Sequence, residues 1–562
     1  MQLHTRGNGH RCAALRYLTI TGDAALPLPS TQSAPVEWWR GAAVYQIYPR
    51  SFADTNGDGI GDLPGITRHL EYVATLGVDA IWISPFFKSP QADFGYDVSD
   101  YCDVDPHFGT LADFDVLIER AHRLGLKVLI DQVWSHTSDQ HPWFTESRAS
   151  QTGPKSDWYV WADPKPDGSP PSNWQSVFGG PAWTWDGRRR QYYLHNFLKE
   201  QPQINGHNPA VQDALLDVAR FWLDRGVDGF RLDAINFLMP DPALTDNPPD
   251  PDLTRPRTRP FDYQLRLHNQ GHPDIPHFLE RLRTVLDGYG ARFTVAEVGG
   301  DDAAREMRLF TAEGRRLDSA YGFDFLYAPA LTPELVAETL TSWPEEPGVG
   351  WPSWALENHD APRAVSRWVA PEHRDAFARV KMLLLGCLRG NVILYNGEEL
   401  GLTQVDVPFE KLRDPEAIAN WPLTLSRDGA RTPMPWQADA AQFGFSDGEP
   451  WLPLGPDHRD LAVNRQEADA GSMLVWTRAV LAMRRESAAL RTGTVLIERS
   501  DEQVLVMIRA KGAERVLCAV NLSDRPATWT EPQGAHTPLL RTGHFEPGVL
   551  APYAGVVLRL GS

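Results

Sequence analysis

Three acidic residues in this chain each close a short apolar run: Asp233 ends 229–233, Glu297 ends 293–297 and Asp360 ends 354–360. Each run has the length of a buried strand that stops at a charged residue. The intervals between the runs are long enough for strand-to-helix crossovers, so the pattern predicts a parallel barrel with three carboxylates at one rim. Carboxylates gathered at one rim shift one another's pKa, which is typical of sites that perform acid and base chemistry. Carboxylate catalysis, and glycosidic bond cleavage in particular, is therefore the first hypothesis.

The rest of the chain fits this interpretation, because strand-like and helix-like segments alternate from about residue 43. Helix periodicity is clear over 66–76 and 111–124. The strand candidates are 43–48, 80–85, 127–131, 229–233, 294–298, 321–325, 353–356 and 392–395. Eight strands alternating with helices predict an α/β fold, a (β/α)8 TIM barrel.

Two segments interrupt or follow this alternation. The interval 137–205 is rich in Trp, Pro, Gly and Asp without a helix period, and predicts a small subdomain inserted after the third strand. From about residue 486 short antiparallel strands predict a C-terminal β-sandwich domain. The barrel itself is assigned to 38–136 and 206–485. Residues 1–37 are polar and turn-rich, and we expect a disordered extension or a start-site artefact rather than a signal peptide.

Composition restricts the partners. A net charge of −19 argues against nucleic acid or an anionic membrane surface, and no apolar run approaches the length of a membrane span. The charge fits a small neutral substrate, and the 20 Trp and 15 Tyr suit sugar rings as well as ordinary cores. The four cysteines have neither metal-ligand nor disulfide spacing: Cys12, Cys102, Cys387 and Cys518. We therefore expect a cytoplasmic protein, with the periplasm left open, that is a monomer or a homodimer.

The neighbours of the three carboxylates suggest distinct roles. Arg231 lies two residues before Asp233 on the same side of one strand, and should keep Asp233 ionised as a nucleophile. Glu297 follows an apolar run with no adjacent cation, so its pKa should rise, as a general acid requires. Asp360, beside His359, could hydrogen-bond sugar hydroxyls and help to distort the ring.

At this point the chain resembles the α-amylase superfamily, glycoside hydrolase family 13, and within it the exo-acting α-glucosidases and oligo-1,6-glucosidases. The resemblance spans about 38–562. The segments that carry it are 131–136 (DQVWSH), 229–233 (GFRLD), 296–298 (AEV), 358–360 (NHD), 45–52 (YQIYPRSF), 95–97 (GYD) and 431–436 (RTPMPW). The resemblance implies retention of the α configuration, with Asp233 as nucleophile, Glu297 as acid/base and Asp360 as transition-state stabiliser.

The resemblance also implies substrate-binding residues. Arg231, His136 and His359 match residues that contact the sugar in the −1 subsite. Asp93 and Arg427 resemble the pair that seals the pocket around the non-reducing-end 4-hydroxyl, and Tyr96 is expected to stack on the sugar ring. A sealed pocket would release one glucose at a time.

A separate motif at 54–62 (DTNGDGIGD) has oxygen ligands at alternating positions and resembles the start of a calcium loop. It lacks the bidentate Glu of an EF-hand, because Gly65 stands at that position. Relatives carry a similar loop after the first barrel strand that binds Ca²⁺ or Mg²⁺. We expect a structural ion remote from the chemistry, and no organic cofactor, with these ligands: Asp54, Asn56, Asp58, Ile60 and Asp62.

The sequence departs from the family pattern at three places, which bear on metal binding and on substrate specificity. Ser135 stands where many amylases have the Asn that binds a second calcium, so that second site is not predicted. The block 201–205 (QPQIN) has Gln in place of an Asp of the oligo-1,6-glucosidases. Ala234 stands where a Val accompanies α-1,6 preference, and its small side chain leaves room for α-1,4-linked or sucrose-like substrates.

The sequence thus predicts a retaining exo-acting α-glucosidase that acts on short α-glucosides and also transfers glucose to a sugar or alcohol acceptor. A dedicated α-glucosyl transferase or a sucrose hydrolase would share every one of these residues. Two further alternatives belong to other classes. One is a catalytically inactive interaction protein, which an intact carboxylate set disfavours, and the other is a barrel hydrolase that uses the carboxylates as metal ligands.

Overall fold

The computed structural model describes residues 37–254, 257–343 and 348–561. Apart from Glu37, the extension predicted over 1–37 lies outside the described residues. The strands in chain order are β1 Ala43–Ile47, β2 Ala80–Ile83, β3 Phe87–Lys88, β4 Asp100–Val104, β5 Lys127–Val133, β6 Trp161–Ala162, β7 Trp183–Asp186, β8 Gln191–Leu194, β9 Gly229–Asp233, β10 Phe293–Glu297, β11 Ser319–Tyr321, β12 Trp351–Ala355, β13 Asn391–Tyr395, β14 Thr494–Ser500, β15 Val504–Lys511, β16 Glu514–Asn521, β17 Ala527–Thr528, β18 His536–Thr542, β19 Phe545–Glu546, β20 Val549–Leu550 and β21 Gly555–Leu560.

Along the chain, most α-helices lie between successive barrel strands, and the others follow the last barrel strand. In chain order they are α1 Leu63–Leu76, α2 Leu111–Arg123, α3 Pro142–Ala149, α4 Pro209–Asp224, α5 Ile275–Asp287, α6 Ala303–Phe310, α7 Pro333–Thr341, α8 Ala364–Arg367, α9 Arg374–Cys387, α10 Pro415–Ala419, α11 Val463–Ala468, α12 Met473–Glu486 and α13 Ala488–Thr492. The helices predicted at 66–76 and 111–124 are confirmed as α1 and α2. None of the helices in the described ranges has both the length and the apolar character that crossing a bilayer needs.

Eight parallel strands close into a barrel in the order β1, β2, β5, β9, β10, β11, β12 and β13, which confirms the predicted TIM barrel. Most barrel strands are buried along their whole length, because the helices cover the outside and side chains fill the inside. Val295 is in register with Arg231, so the ends of β9 and β10 place Asp233 and Glu297 side by side at one rim.

Two sequence predictions about strand ends were wrong. The strand predicted over 321–325 is β11, which already ends at Tyr321; Phe323 lines a cavity instead, and Phe325 packs in the core. The alternating spacing of Phe323 and Phe325 is typical of a strand, but both residues lie in the loop after β11. The third acidic residue does not end its strand either, because β12 stops at Ala355 and Asp360 lies on the loop that follows.

Within the interval 137–205, β6, β8 and β7 form an antiparallel sheet with its own apolar cluster around Trp174, Trp183 and Leu194. An isolated bridge between His136 and Gln203 ties this segment back to the chain just after β5, and a second bridge, between Tyr159 and Ile204, lies within the segment. The limits that the sequence assigned to this segment and to the other domains stay a proposal.

After the barrel, β14, β15, β16, β21 and β18 form one antiparallel sheet, and β17, β20 and β19 form a second. Buried residues of both sheets share one apolar cluster, among them Val504, Trp529 and Leu550. The C-terminal part is therefore an antiparallel β domain, as the sequence predicted.

Candidate active site

A cavity of about 530 Å³ opens at the barrel rim where the carboxyl ends of the strands meet. Asp233, Glu297 and Asp360 all line it, so the structure brings the three predicted catalytic carboxylates together. The predicted pocket residues Asp93, Tyr96, His136 and Arg427 line it as well. Arg231 and His359 are fully buried immediately behind this wall. The nine predicted catalytic and substrate-binding residues thus converge on one site.

The Arg231 guanidinium is the cation at the centre of the site. Its Nη1 lies 2.6 Å from Asp233 Oδ1 and 2.8 Å from Asp131 Oδ1, and its Nη2 lies 2.6 Å from Glu297 Oε1. Sequence reasoning did not include Asp131 among the site residues. The signal was present, because Asp131 closes the apolar run 127–131 as the other carboxylates close theirs.

The predicted separation of pKa values between Asp233 and Glu297 is not what the structure shows. Burial raises the pKa of Glu297 to about 7 although Arg231 lies beside it, and burial likewise raises the pKa of Asp233 in spite of the same guanidinium. Burial also raises the pKa of Asp131 to about 6. The predicted rise in the pKa of Glu297 is confirmed, but the premise that no cation lies beside Glu297 was wrong, and so was the expectation that Arg231 keeps the pKa of Asp233 low. Because three buried carboxyl groups share one cation, each gives up its proton at a higher pH than an exposed carboxyl group does.

Asp360 has a different environment from the other two carboxylates. Burial raises its pKa, but His359, Arg431 and Arg427 outweigh burial and hold the pKa well below its usual range. Arg431 Nη2 donates to Asp360 Oδ1 at 2.7 Å, and Arg427 Nη1 lies 3.2 Å from the same oxygen. Asp360 therefore keeps its negative charge even at low pH, which suits a group that faces developing positive charge.

The His359 ring is held between two tyrosine rings. Its imidazole stacks between Tyr96 and Tyr48, with ring centroids 5.4 Å and 5.5 Å away. Its Nδ1 contacts Gln46 Nε2 at 2.8 Å, its Nε2 contacts the Tyr96 hydroxyl at 2.6 Å, and burial lowers its pKa to about 3. Tyr96, which we expected to stack on a sugar, thus stacks on His359 while also lining the cavity.

His136 and Gln201 connect the inserted segment to the cavity. His136 Nε2 donates to the Tyr96 carbonyl at 3.0 Å, and burial lowers the pKa of His136 to about 4. Gln201 Nε2 donates to Asp93 Oδ2 at 3.1 Å. The sequence marked 201–205 only as a departure from relatives, whereas the structure places the Gln201 amide on a residue of the cavity wall.

Asp93 and Arg427 form the predicted ion pair, with Arg427 Nη2 3.1 Å from Asp93 Oδ1. Both side chains are largely buried, so the pair is not an ordinary surface contact. Arg427 also contacts Asp414 at 2.8 Å, an anchor that the sequence did not reveal. Burial raises the pKa of Asp93 to about 6.

Six aromatic side chains, called the aromatic wall below, also line the cavity: Phe178, Phe197, Phe237, Phe261, Phe323 and Tyr327. Ala234, directly after β9, also lines the cavity and adopts a left-handed conformation with φ 37° and ψ 42°. Its small side chain leaves space between the carboxylates and the aromatic wall.

The predicted cation loop at 54–62 lies away from this cavity and has the chemistry of an oxygen-donor site. Asp54 Oδ1 accepts the Asn56 and Gly57 N–H groups, and Asp58 Oδ1 accepts the Ile60 N–H, so the loop winds around its own carboxylates. Asp62 is engaged as the N-cap of α1, where it accepts the Gly65 N–H. The donor set of carboxylate, amide and carbonyl oxygens fits Ca²⁺ or Mg²⁺.

Sequence comparisons agree with this geometry. Residues 46–493 match the family model of the α-amylase catalytic domain. The chain is 51% identical over 513 residues to a probable α-glucosidase of Rhizobium meliloti, covering 90% of this chain and 92% of that protein. It is 38% identical over 528 residues to an oligo-1,6-glucosidase of Parageobacillus thermoglucosidasius, covering 88% and 92%.

Solved structures share the whole architecture. The α-glucosyl transfer enzyme XgtA superposes with a TM-score of 0.90 at 51% identity, covering 94% of this chain and all of that one. The trehalulose synthase MutB of Pseudomonas mesoacidophila MX-45 superposes with a TM-score of 0.84 at 32% identity, with the same coverage. The chain is a glycoside hydrolase that belongs to the α-amylase family, glycoside hydrolase family 13, in the branch of the exo-acting glucosidases.

Proposed function

We propose that the protein is a retaining exo-acting α-glucosidase that releases glucose from the non-reducing end of short α-glucosides, such as maltose or sucrose. The observation that carries this proposal is one cavity in which Asp233 and Glu297 share Arg231 while Asp93 and Arg427 close the wall beside Asp360. The carboxylate pair supplies the chemistry, and the closed wall limits the substrate to a chain end.

The first step forms a covalent glucosyl-enzyme. Asp233 attacks the anomeric carbon, the bond to the leaving oxygen breaks, and the carboxyl group of Glu297 gives its proton to that oxygen. Burial raises the pKa of Glu297 to about 7, which keeps a proton available at neutral pH. The ionised Asp360 hydrogen-bonds the sugar hydroxyls and stabilises the positive charge that develops on the ring.

The second step releases the sugar. A water molecule attacks the anomeric carbon of the β-linked ester, Glu297 takes a proton from the water, and the ester bond to Asp233 breaks. Two displacements at one carbon return the α configuration. The Glu297 carboxyl group regains the proton it gave away, so atoms and charges balance over the cycle.

The Asp93–Arg427 pair restricts the site to one terminal glucose. Arg427 is held by three carboxylates, Asp93, Asp360 and Asp414, so its position is fixed before substrate arrives. A rigid guanidinium next to Asp93 would bind the 4-hydroxyl of a terminal glucose, and an internal unit has no such hydroxyl. We accordingly expect slow cleavage inside starch.

The test is a rate panel on maltose, sucrose, isomaltose and starch, with the first anomer formed followed by NMR. We expect α-glucose as the first product from maltose and little cleavage of starch. The Asp93→Asn variant should raise KM for maltose with a smaller change in kcat on an activated aryl glucoside. β-Glucose as the first product, or starch cleaved as fast as maltose, would contradict the proposal.

A second candidate function is dedicated glucosyl transfer, in which a sugar or alcohol hydroxyl replaces water in the second step. The aromatic wall that includes Phe237, Phe261 and Phe323 favours it, because apolar surface binds an acceptor and disfavours water. XgtA, the α-glucosyl transfer enzyme at 51% identity, also supports it. The ratio of transfer product to free glucose from maltose, with and without an added alcohol, separates the two functions.

We further propose that the loop at 54–62 holds a structural Ca²⁺ or Mg²⁺ through Asp54, Asn56, Asp58, the carbonyl of Ile60 and Asp62. The turns that 54–60 make around their own oxygens support this assignment. A cytoplasmic location and a monomer or homodimer remain our proposals for the protein in the cell.

A further inference from the structure

Two histidines and one aspartate converge on the outside of the barrel, at the loops that lead into α4 and α5. His207, His272 and Asp274 each present one ligand atom, and these atoms lie within 4.8 Å of one another. The two imidazole rings stand edge to face with centroids 4.7 Å apart. Among the described residues this is the one such group of three His, Cys, Asp or Glu side chains. None of the three lines the active-site cavity, so they are separate from the proposed chemistry.

The two histidines face the aspartate in different hydrogen-bonding states. His207 Nε2 donates to the Pro240 carbonyl at 2.8 Å, so the neutral ring has its Nδ1 unprotonated, 3.9 Å from Asp274 Oδ2. The Asp274 backbone N–H donates to His272 Nδ1 at 3.2 Å, so this nitrogen is also unprotonated, and metal binding there would replace that hydrogen bond. A ring nitrogen that donates to a carbonyl while the other faces inward is the arrangement seen around metal-ligating histidines.

Asp274 is not committed elsewhere in its helix. It stands at the N-cap of α5, yet its side chain makes no capping hydrogen bond. Its Oδ2 lies 3.7 Å from His272 Nδ1, and its side chain is 56% exposed. His207 Nδ1, His272 Nδ1 and Asp274 Oδ2 therefore lie close enough for one cation to bind all three, and its charge would balance that of the carboxylate.

We infer that His207, His272 and Asp274 bind a divalent transition-metal ion such as Zn²⁺. Two imidazole nitrogens and one carboxylate oxygen suit Zn²⁺, whereas Ca²⁺ and Mg²⁺ take oxygen ligands. The partial exposure of the three side chains leaves a fourth position for water.

Such an ion would fix a loop that reaches the active site. Gln270, two residues before His272, lines the cavity, and the Gly271 N–H donates to the Asn236 carbonyl at 2.7 Å. The ion would join this loop to the start of α4. Because it binds the folded state, Zn²⁺ should raise the melting temperature.

The experiment uses the full chain, from which a chelator has removed bound metal. Excess Mg²⁺ is then added so that it, and not Zn²⁺, occupies the 54–62 loop. Zn²⁺ is titrated against a chromophoric chelator, and Co²⁺ binding is followed by its visible absorption. We expect the wild type to bind one equivalent of Zn²⁺ per chain. In His207→Ala and in Asp274→Asn, this binding should be lost or its affinity lowered by about tenfold or more, and the visible absorption band of bound Co²⁺ should disappear. His277→Ala, an exposed histidine of α5 outside the group, is the matched control and should bind as the wild type does.

The melting temperature of each variant in chelator shows whether it folds. Asp274→Asn changes one exposed side chain, so it keeps the test valid if His207→Ala fails to fold. Zn²⁺ and Co²⁺ binding that both variants leave unchanged, or a wild type that binds neither ion, would overturn the inference.

Discussion

At the scale of single residues, one guanidinium determines how the active site handles protons. Arg231 contacts Asp131, Asp233 and Glu297 at 2.6–2.8 Å, so two of the three possible negative charges have no balancing cation among these contacts. Burial then raises the pKa of all three carboxyl groups. The site therefore retains a proton near pH 7, and in the proposed mechanism Glu297 donates it.

Glu297→Gln should stabilise the fold, and more so at high pH. The folded pKa of Glu297 is about 7 against an ordinary 4.5, so the cost of burying its charge is absent below pH 4.5 and complete above pH 7. We expect the variant to gain about 3 kcal/mol in free energy of unfolding at pH 8 and about 1 kcal/mol or less at pH 5. Urea unfolding at the two pH values measures this.

The matched control is Glu280→Gln, because Glu280 is a partly exposed carboxylate of α5 that pairs with Arg316. It should show no such gain at pH 8. An equal change for Glu297→Gln at both pH values would show that its pKa is not raised in the folded protein.

Sequence reasoning could identify these residues but not their electrostatics. Position in an apolar run located Asp233, Glu297 and Arg231, because strand ends are readable from periodicity. The contact between Arg231 and Glu297 depends on the register of β9 and β10, in which Arg231 pairs with Val295. The contacts of Asp414 with Arg427 and of Gln201 with Asp93 depend on how separate loops fold against each other. Pairings between distant segments leave no local signal, so the sequence could not predict them.

At the scale of elements, the turn after β9 follows the proposed nucleophile Asp233 and borders the cavity through Ala234. Ala234 is forced into the left-handed region at φ 37°, where a β-branched residue is strongly disfavoured. Its N–H donates to Glu297 Oε2 at 3.3 Å, so the turn also links the two catalytic strands. The conformation of this residue therefore matters as much as its size.

Ala234→Val should change both linkage preference and stability. The branched side chain fills space between the carboxylates and the aromatic wall, and we expect the ratio of isomaltose to maltose hydrolysis to rise. Strain at φ 37° should cost about 1–2 kcal/mol of unfolding free energy. Rate ratios and urea unfolding measure the two effects.

Ala234→Gly is the matched control, because it removes the strain and adds no bulk. It should keep the maltose preference without loss of stability. If Ala234→Val left the ratio of isomaltose to maltose hydrolysis unchanged, Ala234 would not determine the linkage preference.

Elements were predicted well where they were periodic. Seven barrel strands fall within a few residues of their predicted positions, whereas β11 is short and the apolar residues after it serve the cavity. A loop that builds a pocket needs apolar side chains as a strand does, so periodicity cannot distinguish the two.

At the scale of the whole molecule, the barrel and the C-terminal β domain share one core. Met507, Cys518 and Val557 belong to the same apolar cluster as Leu383 of α9, and Arg509 Nη1 donates to the Cys387 carbonyl at 2.7 Å. A continuous core makes separate unfolding of either part unfavourable, because it would expose apolar surface on both.

Calorimetry should therefore show a single cooperative unfolding transition. The physical reason is that α9 packs directly on β16 and β18, so loss of the β domain uncovers a barrel helix. Two resolved transitions, with the β domain unfolding first at unchanged activity, would contradict this expectation.

Removal of the ion from the 54–62 loop should lower stability and leave the chemistry intact. We expect EDTA to lower the melting temperature by several degrees and Ca²⁺ or Mg²⁺ to restore it, with kcat on maltose at low temperature unchanged. Asp58→Ala should melt at the lower temperature with or without chelator. A fall in kcat that parallels ion loss would show that the loop is not remote from the chemistry.

The most direct test of the central claim is to trap the glucosyl-enzyme and identify the residue that bears it. Glu297→Gln is treated with a 5-fluoro-α-glucosyl fluoride, which has a good leaving group and forms a slowly hydrolysed ester, and the digest is analysed by mass spectrometry. Double displacement at this site predicts one labelled peptide, with the sugar on Asp233. A label on another residue, or no label while the wild type yields β-glucose from maltose, would contradict it.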